Sequence, residues 1–133
     1  MIQPPSRPAI LIIEDDQALR THLIESFLEN AMDAEGYGSG KEGFERLTLR
    51  SFDLVILDIG LPDTNGYDLF RKIRALIQVP VLFMTQRTQA SECVTCLEMG
   101  AVDFVPKPFD EAVLMARVRK ALRESESREL NPE

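Results

Sequence analysis

Carboxylic acids follow directly after two of the most apolar segments of this 133-residue chain, and they are its best candidates for chemistry. Asp58 ends an apolar run at residues 54–57, while Glu14 and Asp15 follow the run at residues 9–13. Continuous runs of Ile, Leu and Val predict strands that are buried on both faces. In open α/β sheets, ligands bind beyond the carboxyl ends of such strands. We therefore expect Asp58 to be the reactive group.

Two further polar side chains follow the later apolar runs. Thr85 comes after residues 79–84, and Lys107 comes shortly after residues 101–105. Because parallel strands present their carboxyl ends at one edge of a sheet, we expect both side chains to lie beside Asp58. Three carboxylates at about 4 Å and an effective dielectric of about 20 would repel one another by about 4 kcal/mol per pair. This repulsion calls for a cation, and oxygen ligands of this kind suit Mg²⁺.

Together these groups predict a phosphoryl site. A carboxylate such as Asp58 can act as a nucleophile and form an aspartyl phosphate. The hydroxyl of Thr85 and the ammonium of Lys107 are both suited to phosphoryl oxygens. Taken singly, each residue has an ordinary explanation, since acids at positions 14–16 can cap a helix and Lys107 can be a solvated lysine. Their joint occurrence at separate strand ends favours the phosphoryl site.

The elements that must position these groups alternate between strand and helix. We predict strands at residues 9–13, 32–37, 53–58, 79–84 and 101–105, and helices at residues 16–30, 39–49, 66–76, 88–99 and 110–123. The predicted helix caps are Asp16, Ser39, Thr88 and Asp110, and Gly100 is the predicted end of the fourth helix. Five alternations specify a parallel sheet with helices on both faces. The predicted domain covers residues 9–123, with a disordered extension at residues 1–8 and a helix end or linker at residues 124–133.

Composition and charge exclude several classes of protein. The net charge of −7 and the lack of a basic run argue against direct binding of nucleic acid. No segment approaches the ~20 apolar residues of a membrane span and none resembles a secretory signal, so we expect a cytoplasmic protein that binds no membrane. Cys93 and Cys96 are predicted to be neighbouring thiols within a helix, whereas redox pairs begin one. His22 is expected to be a solvated helix residue.

Four segments, in this order and spacing, are similar to a known family: ILIIEDD, VILDIGLPDTNGYDL, PVLFMTQR and GAVDFVPKPF. They resemble the receiver domain of bacterial two-component response regulators, over about residues 8–123. The resemblance implies a flavodoxin-like α/β fold, with a doubly wound five-stranded parallel sheet of order 2-1-3-4-5 and five helices in three layers. It further implies a signalling switch rather than an enzyme, phosphorylated by a histidine kinase or a phosphotransfer protein.

The resemblance also implies roles for individual residues. Asp58 would be the phosphoacceptor. Asp15, Asp58 and the carbonyl of Gly60 would coordinate Mg²⁺, and Glu14 would act mainly through water.

The remaining roles concern the phosphoryl group and the response to it. Thr85 would form a hydrogen bond with the phosphoryl group, and Lys107 would pair with it. Phe104 occupies the aromatic switch position and would follow Thr85 inward. The resemblance also implies a cis peptide bond before Pro108.

The sequence departs from the family pattern around the site and on the output face. Gln86 stands where the family usually has a small residue, which indicates slower entry of phosphodonors. Pro106 precedes the lysine at a position that is variable in the family. Val102 replaces an acid that is common in the DNA-binding winged-helix subclass.

The output face of that subclass, made of helix 4, strand 5 and helix 5, forms a homodimer held by ion pairs. The chain keeps two expected partners, Asp103 and Arg117, but the following residues are apolar where that subclass tends to carry charge: Cys93, Met99, Val102 and Val113. We hypothesise that the domain does not form this dimer held by ion pairs and instead binds another protein or its own output domain. The alternative is a homodimer in which apolar contacts replace the ion pairs.

Other readings of the site remain open. A phosphatase of the haloacid dehalogenase type also uses an Asp nucleophile with Mg²⁺, but it needs a second Asp where this chain has Gly60. A nucleotide- or flavin-binding module would need a glycine-rich loop after the first strand, where acids 14–16 would repel a phosphate. Within the receiver reading, the chain is either a stand-alone regulator or the first domain of a longer, possibly DNA-binding protein.

Overall fold

The computed structural model describes residues 7–86 and 90–130. Most of the predicted N-terminal extension, the predicted helix cap Thr88 and the last three residues lie outside the described residues. Within the described ranges no helix combines the length and the apolar character needed to cross a membrane.

Five strands and five helices alternate along the chain, as predicted. The strands are β1 (Ala9–Ile13), β2 (Asp33–Tyr37), β3 (Leu54–Asp58), β4 (Val81–Gln86) and β5 (Asp103–Lys107). The helices are α1 (Gln17–Glu29), α2 (Gly40–Leu49), α3 (Gly66–Leu76), α4 (Ala90–Glu98) and α5 (Glu111–Leu130). All strand pairs are parallel and the sheet order is β2-β1-β3-β4-β5, which confirms the flavodoxin-like fold.

Two strands lie two residues further along the chain than predicted: β4 and β5. The predicted starts were wrong because the prediction relied on apolar content, and Val79 and Ala101 are apolar and buried although they precede the strands. The ladder of strand pairs defines the strands instead, and it includes Thr85 and Gln86 in β4 and continues to Lys107 in β5. Both residues are therefore held by the sheet itself rather than by loops.

The core consists of two apolar clusters, one on each face of the sheet. Alternate residues of the central strands point to opposite faces, so that β1 contributes Ile13 to one cluster and Ile12 to the other. Helices α2, α3 and α4 cover the first cluster, in which Phe70 and Phe83 pack edge to face at 5.3 Å. Helices α1 and α5 cover the second. Burial of each large apolar side chain contributes about 1.5–3 kcal/mol, which makes the central strands a rigid support for their ends.

Polar caps set the helix starts. Asp16 accepts a hydrogen bond from the amide of Leu19 in α1, and Ser39 accepts one from the amide of Glu42 in α2, as predicted. The predicted cap of α5, Asp110, accepts the amide of Ala112 at 2.8 Å. The last helix continues beyond residue 123 to Leu130.

An ion cluster fastens α2 to the edge strand β2. Both carboxylate oxygens of Glu35 accept from Arg46, at 2.7 and 3.1 Å, and the Tyr37 hydroxyl donates to the same carboxylate at 2.9 Å. Arg50 completes the cluster with a further ion pair to Glu35. The hydrogen bonds from Arg46, and then those from Tyr37 and Arg50, outweigh partial desolvation and lower the pKa of Glu35 from 4.5 to about 2.

This shift predicts a pH-dependent contribution to stability. A carboxyl group whose pKa is lower in the folded state stabilises the fold above its unfolded pKa, and the contribution disappears as the pH falls through the folded value. We expect Glu35→Gln to lower the free energy of unfolding by about 1–2 kcal/mol near neutral pH, allowing for solvent screening. The difference between the two proteins should shrink as the pH falls from about 4.5 to about 2.

Urea unfolding of both proteins across this pH range measures the difference. Asp68→Asn is the matched control, because Asp68 forms an exposed ion pair with Arg71 that should contribute little at any pH. A Glu35→Gln difference that stays constant down to pH ~2.5 would contradict the pKa assignment.

Candidate functional site

Three strand ends bring charged side chains from distant parts of the chain together. The pairing of Ile13 with Leu57 places the next residues, Glu14 and Asp58, side by side at the carboxyl edge. Lys107 is the last residue of the edge strand β5, and its side chain extends past the end of β4 towards Asp58. Glu14 is fully buried and Asp58 is 7% exposed, so this contact is largely shielded from solvent.

Lys107 bridges the two buried carboxylates. Its Nζ donates to Glu14 Oε1 at 2.6 Å and to Asp58 Oδ2 at 3.2 Å. Buried charges are costly unless they are paired, and this ammonium is paired twice. The backbone N–H of Gly60 makes a third hydrogen bond in this cluster, to Asp58 Oδ1 at 3.1 Å.

Burial and mutual contact move the pKa values of the two acids apart. Burial, and then the hydrogen bond with Asp58, raise the pKa of Glu14 from 4.5 to about 8. Burial also opposes ionisation of Asp58, but the hydrogen bond with Glu14, the charge of Lys107 and the N–H of Gly60 outweigh it and lower its pKa. Burial likewise disfavours the charged form of Lys107, and contacts with both acids more than offset this and raise its pKa. Asp58 is therefore the carboxylate that stays ionised.

The acids also form a group that could hold a metal ion. One oxygen each from Glu14, Asp15 and Asp58 lies within 4.8 Å of the others. Glu14 Oε2 is buried and has no hydrogen-bond partner within residues 7–86 and 90–130, which is a costly arrangement unless another group satisfies it. Asp15 is exposed, so the cluster is accessible to solvent on the side of Asp15. Oxygen donors of this kind fit a hard divalent cation.

The other predicted site residues lie around this cluster. Thr85 is fully buried and follows Met84, the partner of Asp58 in the sheet, and its hydroxyl lies 3.4 Å from the carbonyl oxygen of Gln86. Phe104 pairs with Phe83 and is half-buried against the first core cluster. The peptide bond between Lys107 and Pro108 is cis, as the resemblance implied.

Sequence reasoning missed Arg20, which supports the acidic loop. Its guanidinium donates to the carbonyl oxygens of Glu14 at 2.7 Å and of Asp15 at 3.4 Å. The aliphatic part of the Arg20 side chain packs against β2 at Gly36, where an added Cβ atom would lie 2.6 Å from Arg20 Cγ. A basic residue one turn into the helix that follows an acidic loop is the signal that could have indicated this role.

Other features singled out in the sequence lie away from the cluster. Cys96 is buried in the core, and the side chain of Cys93 lies outside the described residues. His22 is exposed and lies 3.8 Å from Glu111. A groove of ≈ 640 Å³ that includes Arg74 and Glu124 lies at the opposite edge of the sheet, so concavity alone does not mark the reactive edge.

Comparison with known proteins agrees with this arrangement. Residues 10–119 match the family described as the response regulator receiver domain. The chain is 40% identical over 114 residues to the uncharacterized transcriptional regulatory protein YclJ of Bacillus subtilis, covering 86% of this chain and 50% of that protein. It is 39% identical over 123 residues to the KDP operon transcriptional regulatory protein KdpE of Escherichia coli, covering 86% of this chain and 51% of that protein. The chain thus spans about half the length of these curated relatives.

A solved structure gives the same result. The BeF3-activated N-terminal receiver domain of Klebsiella pneumoniae RstA superposes with a TM-score of 0.81 at 34% identity, covering 86% of this chain and 98% of that one. Sequence match, fold and the edge cluster thus agree, and the chain belongs to the response regulator receiver domain family.

Proposed function

We propose that Asp58 accepts a phosphoryl group from the phosphohistidine of a histidine kinase or phosphotransfer protein, with Mg²⁺ bound beside it. The observation that carries this proposal is the environment of Asp58: a buried strand end, an ionised carboxylate, and Lys107 within 3.2 Å. A nucleophile must be ionised and positioned before its partner arrives, and both conditions hold here.

The proposed transfer forms one bond and breaks one. A carboxylate oxygen of Asp58 bonds to phosphorus while the phosphorus–nitrogen bond of the phosphoimidazole breaks. The departing nitrogen keeps the electron pair of that bond and takes up a proton from water. Lys107 then faces a group with about −1.5 to −2 charges in place of a single carboxylate charge. The product is an aspartyl phosphate and a free imidazole.

The acidic cluster supplies the proposed metal ligands. Asp15, Asp58 and the Gly60 carbonyl would bind Mg²⁺, and Glu14 would act mainly through water. The ion would neutralise charge on the transferring group. The residues themselves hold the geometry, because the sheet fixes Asp58 and the neighbouring N–H of Gly60 orients its carboxylate.

The response to phosphorylation is proposed to pass through Thr85 and Phe104. Thr85 lies at the end of β4, where its hydroxyl could turn towards a new phosphoryl oxygen. Phe104 is paired with Phe83 of the same strand and is only half-buried, and we propose that it moves to a more buried position when Thr85 turns. Phosphorylation would shift the population between these arrangements by the contacts that only the phosphorylated state makes.

The partner of the output face is also proposed. Val94 is 57% exposed and Val113 is 45% exposed on α4 and α5. Asp103 is already paired within the chain, since Arg117 donates to it at 3.0 Å. Exposed apolar side chains fit an apolar contact better than a lattice of ion pairs. We therefore propose another protein, or an output domain of the same protein, as the occupant of this face.

The first prediction concerns the phosphoacceptor. Asp58→Asn should abolish formation of the phosphoryl adduct on treatment with acetyl phosphate and Mg²⁺, because the nucleophilic oxygen is lost. Mass spectrometry or a phosphate-affinity gel detects the adduct. Asp53→Asn is the matched control. Asp53 lies just before the first residue of β3, far from the site, and accepts a hydrogen bond from the amide of Ala9, so its substitution should leave phosphorylation unchanged. A full adduct on the Asp58→Asn protein would refute the assignment, and turnover of phosphomonoesters by the native protein would favour the phosphatase reading.

The second prediction concerns the metal. Mg²⁺ at about ten times its Kd should stabilise the domain by about 1.4 kcal/mol, which raises the melting temperature by about 5 °C. Asp15→Asn should remove most of this rise. Asp16→Asn is the matched control, because asparagine caps a helix as well as aspartate and the side chain already serves as the cap of α1. An unchanged melting curve of the native protein at saturating Mg²⁺ would count against the site.

The third prediction concerns the output face. Sedimentation of the beryllofluoride-activated domain should show no tight dimer that depends on ionic strength, because the expected ion pairs are largely replaced by apolar residues. Salt screens exposed charge pairs, whereas apolar contacts persist or strengthen. A tight dimer that dissociates as salt rises would show that charge pairing holds this face after all.

A further inference from the structure

The β3–α3 loop carries Gly60 and is anchored at its tip to the neighbouring helix α2. Its two ends are fixed locally: the amide of Gly66 donates to the carbonyl of Ile59 at 2.9 Å, and Asn65 caps α3. Between these ends Pro62 and Asp63 are exposed. Gly60 itself lies at the base of the loop, where it bridges to Asn65, so the residues that need a further contact are those of the tip, 61–64.

Asp63 provides that anchor. Its Oδ1 accepts the amide of Gly40 at 2.9 Å and its Oδ2 accepts the amide of Lys41 at 3.0 Å, in the first turn of α2. These two amides would otherwise lack partners at the helix start. The same amides lower the pKa of Asp63, so that the carboxylate that makes the contact is the ionised one.

The loop packs closely against the start of α2. A Cβ atom at Gly40 would lie 2.5 Å from Thr64 Cγ2, so any larger residue at this position would displace the Thr64 side chain. Just before α2, the carbonyl of Tyr37 accepts the amide of Glu14 at 3.0 Å. The segment 37–41 thus holds both the acidic loop after β1 and the loop after β3, although it contains none of the predicted metal ligands.

We propose that Asp63 is a positioning residue for the metal and phosphoryl site: it fastens the tip of the β3–α3 loop to α2 and thereby limits the movement of the loop base, where Gly60 lies beside Asp58. This inference rests on the proposed function for its chemical consequence. The competing explanation is that Asp63 only caps α2. Ser39 separates the two explanations, because it caps the same helix turn through the amide of Glu42 and makes no contact with the β3–α3 loop among the hydrogen bonds described.

The experiment compares the native protein with Asp63→Ala, Asp63→Asn and Ser39→Ala. Calorimetric titration with Mg²⁺ should show about tenfold weaker binding for Asp63→Ala, a smaller loss for Asp63→Asn, which keeps one acceptor, and a change within about twofold for Ser39→Ala. Initial rates of phosphorylation by acetyl phosphate should shift to higher Mg²⁺ concentration with the same plateau. Equal Mg²⁺ affinities for Asp63→Ala and Ser39→Ala would overturn the proposal.

Amide hydrogen exchange in the metal-free proteins gives a second test that is independent of Mg²⁺. Asp63→Ala should accelerate exchange at residues 60–65 by about tenfold more than Ser39→Ala does. Equal acceleration in the two variants would overturn this role of Asp63. A native protein that binds no Mg²⁺ would instead refute the proposed function, and the exchange data would still decide whether Asp63 holds the loop.

Discussion

The arrangement on which the rest of this structure depends is the burial of one ammonium between two carboxyl groups, those of Glu14 and Asp58, at the carboxyl edge of the sheet. Lys107 and Glu14 are 93 residues apart in the chain, and their contact at 2.6 Å is largely shielded from water. Taking the charges of Lys107 and Asp58 out of water costs several kcal/mol per ion, so the arrangement persists only because other parts of the fold hold it in place. The sheet provides this support, since apolar strands on either side fix where each charged residue can lie.

The same cluster is short of positive charge. Three acids meet one lysine, and a buried oxygen of Glu14 has no hydrogen-bond partner in the described part of the chain. Glu14 keeps its proton to a higher pH than an isolated glutamic acid would, because burial, together with the contact with Asp58, raises its pKa to about 8. A site in this condition favours a cation, and Lys107, which already donates to Asp58, would lie beside a phosphoryl group bound there. The chemistry proposed for Asp58 follows from this imbalance.

Support for the site extends beyond the residues that would contact a ligand. Arg20 holds the carbonyl groups of the acidic loop, and Asp63 ties the neighbouring loop to the start of α2. In each contact a side chain holds backbone atoms of a different segment, so a shift of α2 or β2 would move the loops that carry the proposed ligands. Loops at this edge are thus held by the helices around them and can place small groups accurately.

The sequence by itself determined the layered fold and the main participants of the site. Short unbroken apolar runs that alternate with helical patterns indicate strands buried on both faces, and polar residues at the carboxyl ends of such strands then lie at the open edge. Asp58, Glu14 and Lys107 were identified on that basis. Apolar content could not locate the ends of β4 and β5, because Val79 and Ala101 are buried without being paired in the sheet. Only the tertiary structure decided which carboxylate stays ionised, and it alone revealed Arg20 and Asp63. These outcomes depend on distances between segments far apart in the chain, and local sequence carries no information about such distances until the sheet has set its register.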